Sequence, residues 1–516
     1  MIRYCLAVAC LVTLMLATPL SGRCCWAADY YVNPNPSLGN DIYDGSAPKY
    51  KSGKQGPKRT LGSLVRIARA GDTIYLMGGV YGNDQHWFTN KNIGNDGTAD
   101  KPITIKRYQD EVPVFKSKGL YDVVFSLARD WMVLDGLVFD TCAGTNIVIV
   151  LEGNNNIIRN CTVRNTTTFI RLDKGSGNRI EKNTAYNIGD NAKGFGGGEF
   201  IFIRGGENNE ISGNTIDGSG HAAIMIIDYP NYQKMARYNK IRDNIIDQKN
   251  GGGGIYIARG SSYNLIDGNI IKNAGQMAGL TQNKAGIFIS APHNSARRNI
   301  ILNFGVQGSD AHRGIMLASA SPFDNKNCSN NFVYNNFIYG GFGLPVYYRE
   351  GVGGRDKGYV VKENVFANNI IYNSPTRKIE HKNYVGMYTP AEFYPIYIGI
   401  YTGGSWNKFA SENVFKNNLI FNKNGKSFIG YYYGNGGWSL PVDQAQKKFP
   451  EVFSGNVYGV HPQIKDKSPV TGKPEKNSPV VDAGRFIDDA NGKVGGWSNL
   501  KFCGKAPDIG AHELCD

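Results

Sequence analysis

The sequence predicts an all-β fold, a single-stranded right-handed parallel β-helix whose N-terminal end is closed by a short helix. A motif of Asn, β-branched residues and Gly, as in Asn209–Ile216, recurs along the chain at irregular intervals. Each copy holds short alternating apolar runs, and no run keeps a helical apolar period over ten residues. Irregular spacing around a fixed motif indicates a constant core with loops of variable length. Further copies contain Asn178, Asn239, Asn264, Asn299, Asn336, Asn369 and Asn418.

Strands this short cannot bury a face alone, so we expect successive coils to stack in parallel with Ile and Val pointing inward. We expect an Asn at the second bend of each coil, marked by Asn160, Asn183 and Asn214 in successive units. Such an Asn tolerates left-handed backbone angles, and its amide can bond to the Asn of the next coil, forming a ladder. Asn-rich sequence is also typical of disordered or prion-like tracts. The regular Ile spacing argues against that alternative.

Residues 1–27 are predicted to be a signal peptide, with Arg3 in the positive segment and an apolar run from Cys5 to Leu20. The mature chain is expected to begin near Ala28 and to be secreted, periplasmic or on the cell surface. It contains no further long apolar run and hence no expected membrane span. Five cysteines remain after cleavage, and Cys503 with Cys515 is the expected disulfide, whereas Cys328 is the expected free thiol.

Composition indicates a polyanionic partner. The 516 residues include 65 Gly and 30 Tyr, and Lys plus Arg exceed Asp plus Glu by 57 to 43, a net charge of +14. A basic, exported, Tyr-rich protein fits an acidic polysaccharide. Nucleic acid is the competing polyanion, but the sequence has no basic helix and no nucleic-acid motif. The simplest alternative is that the net positive charge serves only solubility. We expect the protein to be a monomer.

Residues 28–115 are predicted to form an N-terminal cap and the first coils. Asp29–Val32 is expected to be a strand, and Thr60–Ala70 an amphipathic helix with Leu61, Leu64, Ile67 and Ala68 on one face. This helix would cover a strand edge that could otherwise recruit other chains.

Three stretches carry a family resemblance: Ala70–Tyr81, Lys101–Lys106 and Trp131–Phe139. They resemble the N-terminal region of secreted right-handed parallel β-helix repeat proteins, including polysaccharide lyases that cleave pectate, alginate or chondroitin. The resemblance implies that residues 116–460 form the β-helix. Lyases of these kinds often use Ca²⁺ with a Lys or Arg base, although their catalytic motifs do not match this chain residue by residue.

Residues 461–516 carry a second resemblance. Ser478–Gly484 and Pro507–Glu513 resemble the closing motifs of bacterial β-helix proteins known as the choice-of-anchor Q region. The resemblance implies a C-terminal capping tail, so His512 and Glu513 are expected to be structural despite being a tempting acid/base pair.

Candidate site residues lie on the first strand of each coil, which follows the third strand and its bend. In Gly254–Ile257 we expect Ile255 and Ile257 inward and Tyr256 outward. An outer row would then contain Phe202, Met225, Tyr256, Phe288 and Met316. This row either stacks against sugars or lies under long loops.

Charged residues flank these strands and become neighbours because coils stack about 4.8 Å apart. The side where the strands begin carries Asp190, Glu199, His221, Lys284, Asp310, His312 and Arg313. The side where they end carries Arg204, Asp228, Arg259, His293, Arg349 and Glu350. For any one of them, a solvated bend charge is the simpler interpretation, but their convergence on one sheet favours a site.

Cleavage of a uronic-acid polymer by β-elimination requires a cation at the sugar carboxylate, a base for the C5 proton and an acid for the leaving oxygen. The predicted catalytic residues are His221, Lys284, His312 and Arg313, and the predicted substrate-binding residues are Arg204, Tyr256, Arg259 and Phe288. Asp190, Glu199 and Asp228 are predicted to hold Ca²⁺ through oxygen ligands.

Three alternatives remain open. A glycosidase needs facing carboxylates, and the paired Asp488 and Asp489 lie in the tail. A C5-epimerase would share the lyase chemistry but return the proton to the other face of the sugar, and Ser309–Arg313 is faintly similar to an epimerase box. A non-catalytic polysaccharide-binding or surface-structural protein would tolerate any scatter of charges.

Overall fold

The computed structural model describes a right-handed parallel β-helix, as predicted. The described residues are 27–82, 94–116, 123–142, 147–189, 198–228, 235–249, 252–275, 285–302, 313–319, 327–341, 343–349, 361–373, 394–401, 412–423, 427–433, 436–464, 471–487, 493–494, 497–498 and 500–515. The predicted signal peptide lies outside them, except for Ala27.

The chain passes in each coil through three sheets, which we call first, second and third. In the described residues the first sheet has 12 strands, all parallel except the last. They are β6 Val123–Leu127, β9 Ile147–Leu151, β12 Ile170–Leu172, β15 Ile201–Ile203, β18 Ala222–Ile227, β21 Gly253–Ala258, β24 Ala285–Ser290, β27 Arg313–Ser319, β30 Leu344–Arg349, β33 Ile396–Tyr401, β36 Phe428–Tyr433 and β37 Gly436–Pro441.

The second sheet has 14 described strands. They are β1 Asp29–Val32, β2 Thr73–Leu76, β4 Ile103–Arg107, β7 Met132–Asp135, β10 Ile157–Arg159, β13 Arg179–Glu181, β16 Glu210–Ser212, β19 Lys240–Arg242, β22 Leu265–Asp267, β25 Ser295–Arg297, β28 Phe332–Tyr334, β31 Asn364–Ala367, β34 Asn413–Lys416 and β38 Phe453–Ser454.

The third sheet has 13 described strands. They are β3 Gly79–Tyr81, β5 Pro113–Phe115, β8 Val138–Cys142, β11 Thr162–Thr166, β14 Thr184–Ile188, β17 Thr215–Ser219, β20 Ile245–Asp247, β23 Ile270–Lys272, β26 Ile300–Leu302, β29 Phe337–Tyr339, β32 Ile370–Tyr372, β35 Leu419–Phe421 and β39 Val457–Tyr458. A separate antiparallel pair consists of β40 Lys493–Val494 and β41 Trp497–Ser498.

The core is one continuous column of apolar side chains inside the coils. On the second sheet Ile158, Ile180, Ile211 and Ile241 lie in register on successive strands, and all are fully buried. Each buried side chain of this size contributes roughly 1.5–3 kcal/mol. Alternation within three-residue strands is therefore sufficient to build the core once the coils stack.

Two asparagine ladders flank the second sheet, one at each bend. The ladder at the first bend contains Asn156, Asn178, Asn209, Asn239, Asn264, Asn294, Asn331, Asn364 and Asn413. The ladder at the second bend contains Asn183, Asn214, Asn244, Asn269, Asn299, Asn336, Asn369, Asn418 and Asn456. The predicted amide ladder is confirmed.

The structure corrects two details of that prediction. The left-handed backbone angle belongs to the residue before each ladder Asn: Lys182 has φ 55°, whereas Asn183 is not among the positive-φ residues. In the first unit the ladder position is Cys161, whose N–H donates to Asn183 Oδ1 at 3.0 Å. The predicted marker Asn160, with φ 53°, is thus the bend residue. The sequence motif contains both the bend residue and the ladder residue that follows it, and the motif alone does not show which of the two has the left-handed angle and which forms the ladder.

The N-terminal end is closed by a helix shorter than predicted. α1 spans Leu61–Val65, and Leu61, Leu64 and Ala68 pack on the end of the core. Ile67 was expected on the same face but is 48% exposed. The helix ends before Ile67, so the 3.6-residue period no longer determines where that side chain points. The predicted strand Asp29–Val32 is confirmed as β1.

The C-terminal end is closed by other residues than predicted. α2, Val442–Lys448, and the antiparallel strand β37 cover the last coil, with Val442 and Ala445 in the core. The tail from residue 461 lies along the outside of the third sheet instead, where Val480 and Ile509 pack on Phe337 and Ile370. The expectation that this tail caps the helix end is therefore wrong for its described residues.

Hydrogen bonds fix the tail to successive bends. Asn335, Asn368 and Asn417 donate through Nδ2 to the carbonyl oxygens of Asp508, Arg485 and Ala483 at 2.6, 2.7 and 3.0 Å. Cys503 and Cys515 are disulfide-bonded, as predicted. Cys328, predicted to stay outside any disulfide, and Cys161 are both buried and form no disulfide among the described residues.

Replacing one ladder residue tests the ladder. Asn244 accepts two hydrogen bonds from Asn214 and donates to Ile211 O and Asn269 Oδ1, all at 2.9–3.0 Å. Asn244→Ala leaves these buried groups unsatisfied, so we expect the free energy of unfolding to fall by roughly 2–5 kcal/mol. Urea unfolding measures it. The control Asn160→Gly, at an exposed bend, should change it by less than about 1 kcal/mol, and equal effects would contradict a structural ladder.

Docking of the tail can be tested separately. Ile509 is 2% exposed, and Ile509→Asp would bury a charge against the third sheet. We expect the tail to undock, which limited proteolysis would detect as early cleavage beyond residue 460 while the coils stay resistant. Val460→Asp, at an exposed position, is the matched control. Early cleavage in both variants, or in neither, would argue against the packing of Ile509.

Candidate functional site

The outer face of the first sheet carries the predicted row of large side chains. Phe202, Met225, Tyr256, Phe288 and Met316 pair in register on consecutive strands. Ile255 and Ile257 are buried in the core on the opposite face. Alternation within each strand and the fixed register of the coils therefore place this row as the sequence predicts.

Exposure along the row is uneven. Met225, Phe288 and Met316 are only 4–5% exposed, whereas Phe202 and Tyr256 are partly exposed. Phe288 stacks on Tyr256 with ring centroids 4.7 Å apart. Of the two aromatic residues predicted to bind substrate, only Tyr256 therefore presents an appreciable surface, and Phe288 stacks beside it on the next strand.

A carboxylate and a histidine meet where the strands of the first sheet begin. His221 Nδ1 lies 3.1 Å from Glu199 Oε1, and Thr168 Oγ1 donates to Glu199 Oε2 at 3.3 Å. Glu199 lies just before β15 and His221 just before β18, so the stacking of consecutive coils brings them together. The Glu199 side chain is 8% exposed and that of His221 is 22% exposed. The pair is thus largely shielded but accessible from the histidine side.

This contact determines which imidazole nitrogen can accept a proton. An ionised carboxylate only accepts hydrogen bonds, so in the neutral imidazole Nδ1 carries the proton toward Glu199. The lone pair then lies on Nε2. The ring of Tyr256, one coil further on, is 6.2 Å from the His221 ring between centroids. Glu199, His221 and Tyr256 thus place an orienting carboxylate, a base and a phenol side by side.

A second charged cluster lies on earlier coils and was missed in the sequence. Arg171 donates to Asp173 Oδ2 through Nε at 3.1 Å, with its second terminal nitrogen 2.9 Å away. Arg204 Nε lies 3.7 Å from Asp173 Oδ1. Aligning residues 169–173 with residues 200–204 as equivalent first strands would have placed Arg171 beside Phe202 and Asp173 beside Arg204, as the register shows.

Asp228 lies where β18 ends, on the other side of the first sheet. It is partly buried beside Gly260, and desolvation raises the pKa of its carboxyl group. It has no hydrogen bond or ion pair within the described part of the chain. Arg259 occupies the corresponding position one coil later, with φ 57°. These predicted residues lie at one margin of the sheet, as expected.

The remaining predicted catalytic residues are only partly described. Arg313 begins β27, pairs with Ala285 and is 6% exposed. It shares the margin of His221 at a distance of three coils, about 14 Å along the helix axis. Lys284, His312 and Asp190 lie outside the described residues. The predicted groove that joins all four catalytic candidates therefore stays a prediction.

The predicted calcium ligands do not form one site where they are described. Glu199 precedes its strand and Asp228 follows the next one, so about 20 Å of strand separates their positions. The described residues contain no cluster of three or more His, Cys, Asp or Glu side chains suited to a metal. Glu199 and Asp228 therefore cannot coordinate the same ion, and we derive no catalytic step through calcium.

The acidic residues of the tail have structural roles, as expected. Glu513 accepts the N–H groups of Cys503 and Asp508, each at 3.0 Å. His512 Nε2 contacts the carbonyl oxygen of Thr471 at 2.8 Å. Burial raises the pKa of Glu513 and lowers that of His512, and both groups bind backbone groups of other tail residues.

Comparison with known families supports the fold. Residues 43–198 match the family described as Pel9A-like, right handed beta helix region, and residues 132–281 match periplasmic copper-binding protein (NosD). Neither match spans half of the chain, and both end before the tail, so the choice-of-anchor Q resemblance stays a prediction. No curated protein matches the sequence.

Three solved structures illustrate the similarity. A mannuronic acid specific polysaccharide family 6 lyase from human gut microbiota is 15% identical, with 77% of this chain and 83% of that chain covered and a TM-score of 0.51. Pectate lyase Pel9A is 14% identical, with 94% and 96% covered and a TM-score of 0.46. The lyase Pedsa3628 from Pseudopedobacter saltans is 17% identical, with 80% and 94% covered and a TM-score of 0.46. At these identities the similarity concerns the fold alone.

The raised pKa of Asp228 gives a pH-dependent prediction. Its carboxyl group contributes stability below the pKa of the unfolded chain, and this contribution is lost as the pH rises through the folded value. Asp228→Asn should therefore raise the melting temperature at pH 7, and the gain should shrink below about pH 4. Calorimetry at both pH values measures this. Asp243→Asn removes an exposed carboxylate paired with Arg242 at 2.7 Å and should give no gain. A pH-independent gain would contradict the assignment.

Proposed function

We propose that the protein is exported and cleaves a uronic-acid-containing polysaccharide by β-elimination on the outer face of the first sheet. The observation that carries the proposal is the contact between Glu199 and His221 beside Tyr256. The net charge of +14 favours a polyanionic substrate. The substrates named for similar structures, mannuronic acid polymers and pectate, belong to the same chemical class.

In the proposed reaction His221 acts as the base. Nε2 of the neutral imidazole takes the C5 proton of the uronate, and Glu199 stabilises the imidazolium that forms. The electron pair of the C5–H bond becomes the C4–C5 double bond while the C4–O bond breaks. The leaving oxygen receives a proton from the hydroxyl group of Tyr256. The negative charge that develops next to C5 requires a cation at the sugar carboxylate.

The surroundings of the pair suit this role. Glu199 is nearly buried, so its bond to His221 is shielded from water, whereas the histidine is open enough to meet a polymer. Tyr256 is held by stacking against Phe288 on the next strand. Neither side chain requires a rearrangement of the sheet to reach a chain lying over the outer row.

Hydrolysis has less support in the described residues. A glycosidase places two carboxyl groups about 5–9.5 Å apart across the sugar. The predicted carboxylates Glu199 and Asp228 lie at opposite ends of their strands, about 20 Å apart along the chain direction. Calcium remains part of the proposal only as a variable to test, because the predicted ligands do not converge.

Product chemistry tests the reaction. The purified protein is incubated with alginate, pectate and chondroitin sulfate, with Ca²⁺ or with EDTA, and the absorbance of the unsaturated product is followed. We expect unsaturated ends from at least one polymer. Reducing ends without unsaturation would indicate a hydrolase, and an altered C5 configuration without cleavage an epimerase. Binding without any product would indicate the non-catalytic alternative.

Substitution of His221 tests the mechanism. His221→Ala should lower kcat by roughly 10²–10⁴-fold because it removes the general base. His293→Ala is the matched control, since His293 is half-buried and stacks on Tyr263 at a different bend, with ring centroids 4.8 Å apart. An unchanged kcat in His221→Ala, with normal folding by circular dichroism, would refute this mechanism.

A further inference from the structure

Arg171, Asp173 and Arg204 form a charged cluster, and we call its two arginines the arginine pair. This cluster has no role in the proposed chemical step. It lies on the outer face of the first sheet, on the two coils before His221. Its register fixes where it stands relative to the proposed active residues. Strands β12, β15, β18 and β21 place Arg171, Phe202, Met225 and Tyr256 in one outer row.

The carboxylate is buried and the arginines are not. The side chain of Asp173 is 7% exposed, whereas those of Arg171 and Arg204 are 25% and 22% exposed. Asp173 Oδ2 accepts a hydrogen bond from Arg171, whereas Arg204 Nε lies 3.7 Å from Oδ1, close enough for charge attraction but too far for a hydrogen bond. The buried carboxylate restrains Arg171 through a hydrogen bond and attracts Arg204 by its charge, which lowers the entropy lost when an anion binds.

The cluster places two guanidinium groups beside one buried carboxylate. The neighbouring Glu152 and Lys174 form a separate ion pair at 3.6 Å. Partly shielded cations attract an anion more strongly than fully exposed cations do. The planar geometry of guanidinium groups matches a carboxylate, with two parallel hydrogen bonds.

Phe202 adds an apolar surface beside these cations. It is partly exposed, and the guanidinium carbon of Arg204 lies 6.0 Å from its ring centroid. A pyranose ring presents C–H groups on one face and, in a uronic acid, a carboxylate at its edge. An aromatic face next to two guanidinium groups is complementary to both features.

We infer that Arg171, Arg204 and Phe202 form a distal subsite for the carboxylate of a uronic-acid unit, which Asp173 positions; this inference rests on the proposed function. From Arg171 to Tyr256 the row spans three coils, about 14 Å. The coil spacing is close to the length of one pyranose unit in an extended chain. A polymer lying along the row therefore reaches the arginine pair a few sugar units away from the bond that is cleaved.

The subsite makes chain length and charge spacing the determinants of affinity. An oligomer long enough to reach from Tyr256 to Arg171 gains a charge-assisted contact that a dimer cannot make. Because this contact is equal in the ground state and the transition state, it lowers KM and leaves kcat unchanged. A surface ion pair without a ligand would affect stability but would not discriminate between oligomer lengths.

Kinetics with defined oligomers test the inference. Arg171→Gln and Arg204→Gln should each raise KM for hexameric oligomannuronate or oligogalacturonate by roughly tenfold or more. For the shortest cleaved oligomer, KM should stay as in the unmodified protein, and kcat should be unchanged for both lengths. Arg171→Lys should recover only part of the affinity because it keeps the charge but not the planar fork. Arg164→Gln, at an ion pair with Asp140 of 3.0 Å on the third sheet, is the matched control.

The outcomes separate this inference from the proposed function. If the Arg171 and Arg204 variants have normal KM at every length while His221→Ala is inactive, the subsite is refuted and the lyase proposal stands. If the unmodified protein forms no unsaturated product, calorimetric binding of the same hexamers decides. Binding that weakens in both variants and is absent for neutral xylohexaose supports the subsite without the lyase chemistry, and no binding refutes it.

Discussion

The two asparagine ladders constrain everything else in this protein. Most ladder amides join successive coils as Asn244 does, which accepts from Asn214 on the coil before and donates to Asn269 on the coil after and to the buried carbonyl oxygen of Ile211. Because a ladder lies at each end of every second-sheet strand between Asn178 and Asn418, each of these strands has only one possible register. The adjoining first sheet inherits this register, so residues distant in sequence meet on its face. The contact between Glu199 and His221 depends on this precision, since a slip of one residue would invert both side chains.

The first coils are held together differently. No ladder asparagine precedes Asn156 among the described residues, and the interior there contains aromatic rings instead. Phe115, Phe139, Phe169 and Phe200 form a chain of ring contacts with centroids 5.4–5.6 Å apart. Cys161 marks the transition, because it takes the ladder position but can only donate its backbone N–H in the bond that defines the ladder. Apolar ring packing is less directional than amide bonding, which suits coils that must also accommodate an end cap.

Much of the fold could be predicted because its signals are local. Alternating Ile residues and repeated asparagines are visible in single units, and they predicted the sheets, the ladder and the outward direction of Tyr256. The position of Ile67 and the path of the tail could not be predicted, because both depend on where a short element ends and on packing between distant segments. No sequence periodicity around Val480 or Ile509 predicts that these residues pack on Phe337.

The candidate site shows the same division. His221 and Glu199 could be placed at one margin from the repeat, but their contact required the actual rotamers and the bend before β18. Arg171 and Asp173 were missed because their strand lacks the Gly and Ile pattern of later coils. Conversely, Glu199 and Asp228 were predicted at opposite margins and still proposed as ligands of one ion, and the six residues of β18 show that this separation is too large.

The course of the tail has a consequence for how the molecule is made. During synthesis or export the coils emerge in order from the N-terminus, and each new coil can pair with the one before it. The apolar outer face of the third sheet at Ile300, Phe337 and Ile370, however, is covered by Val480 and Ile509, which are synthesised last. The apolar outer surface of the later coils therefore stays exposed to solvent until the tail has been synthesised. During that interval the nascent chain is most open to chaperones and to misassociation with its neighbours.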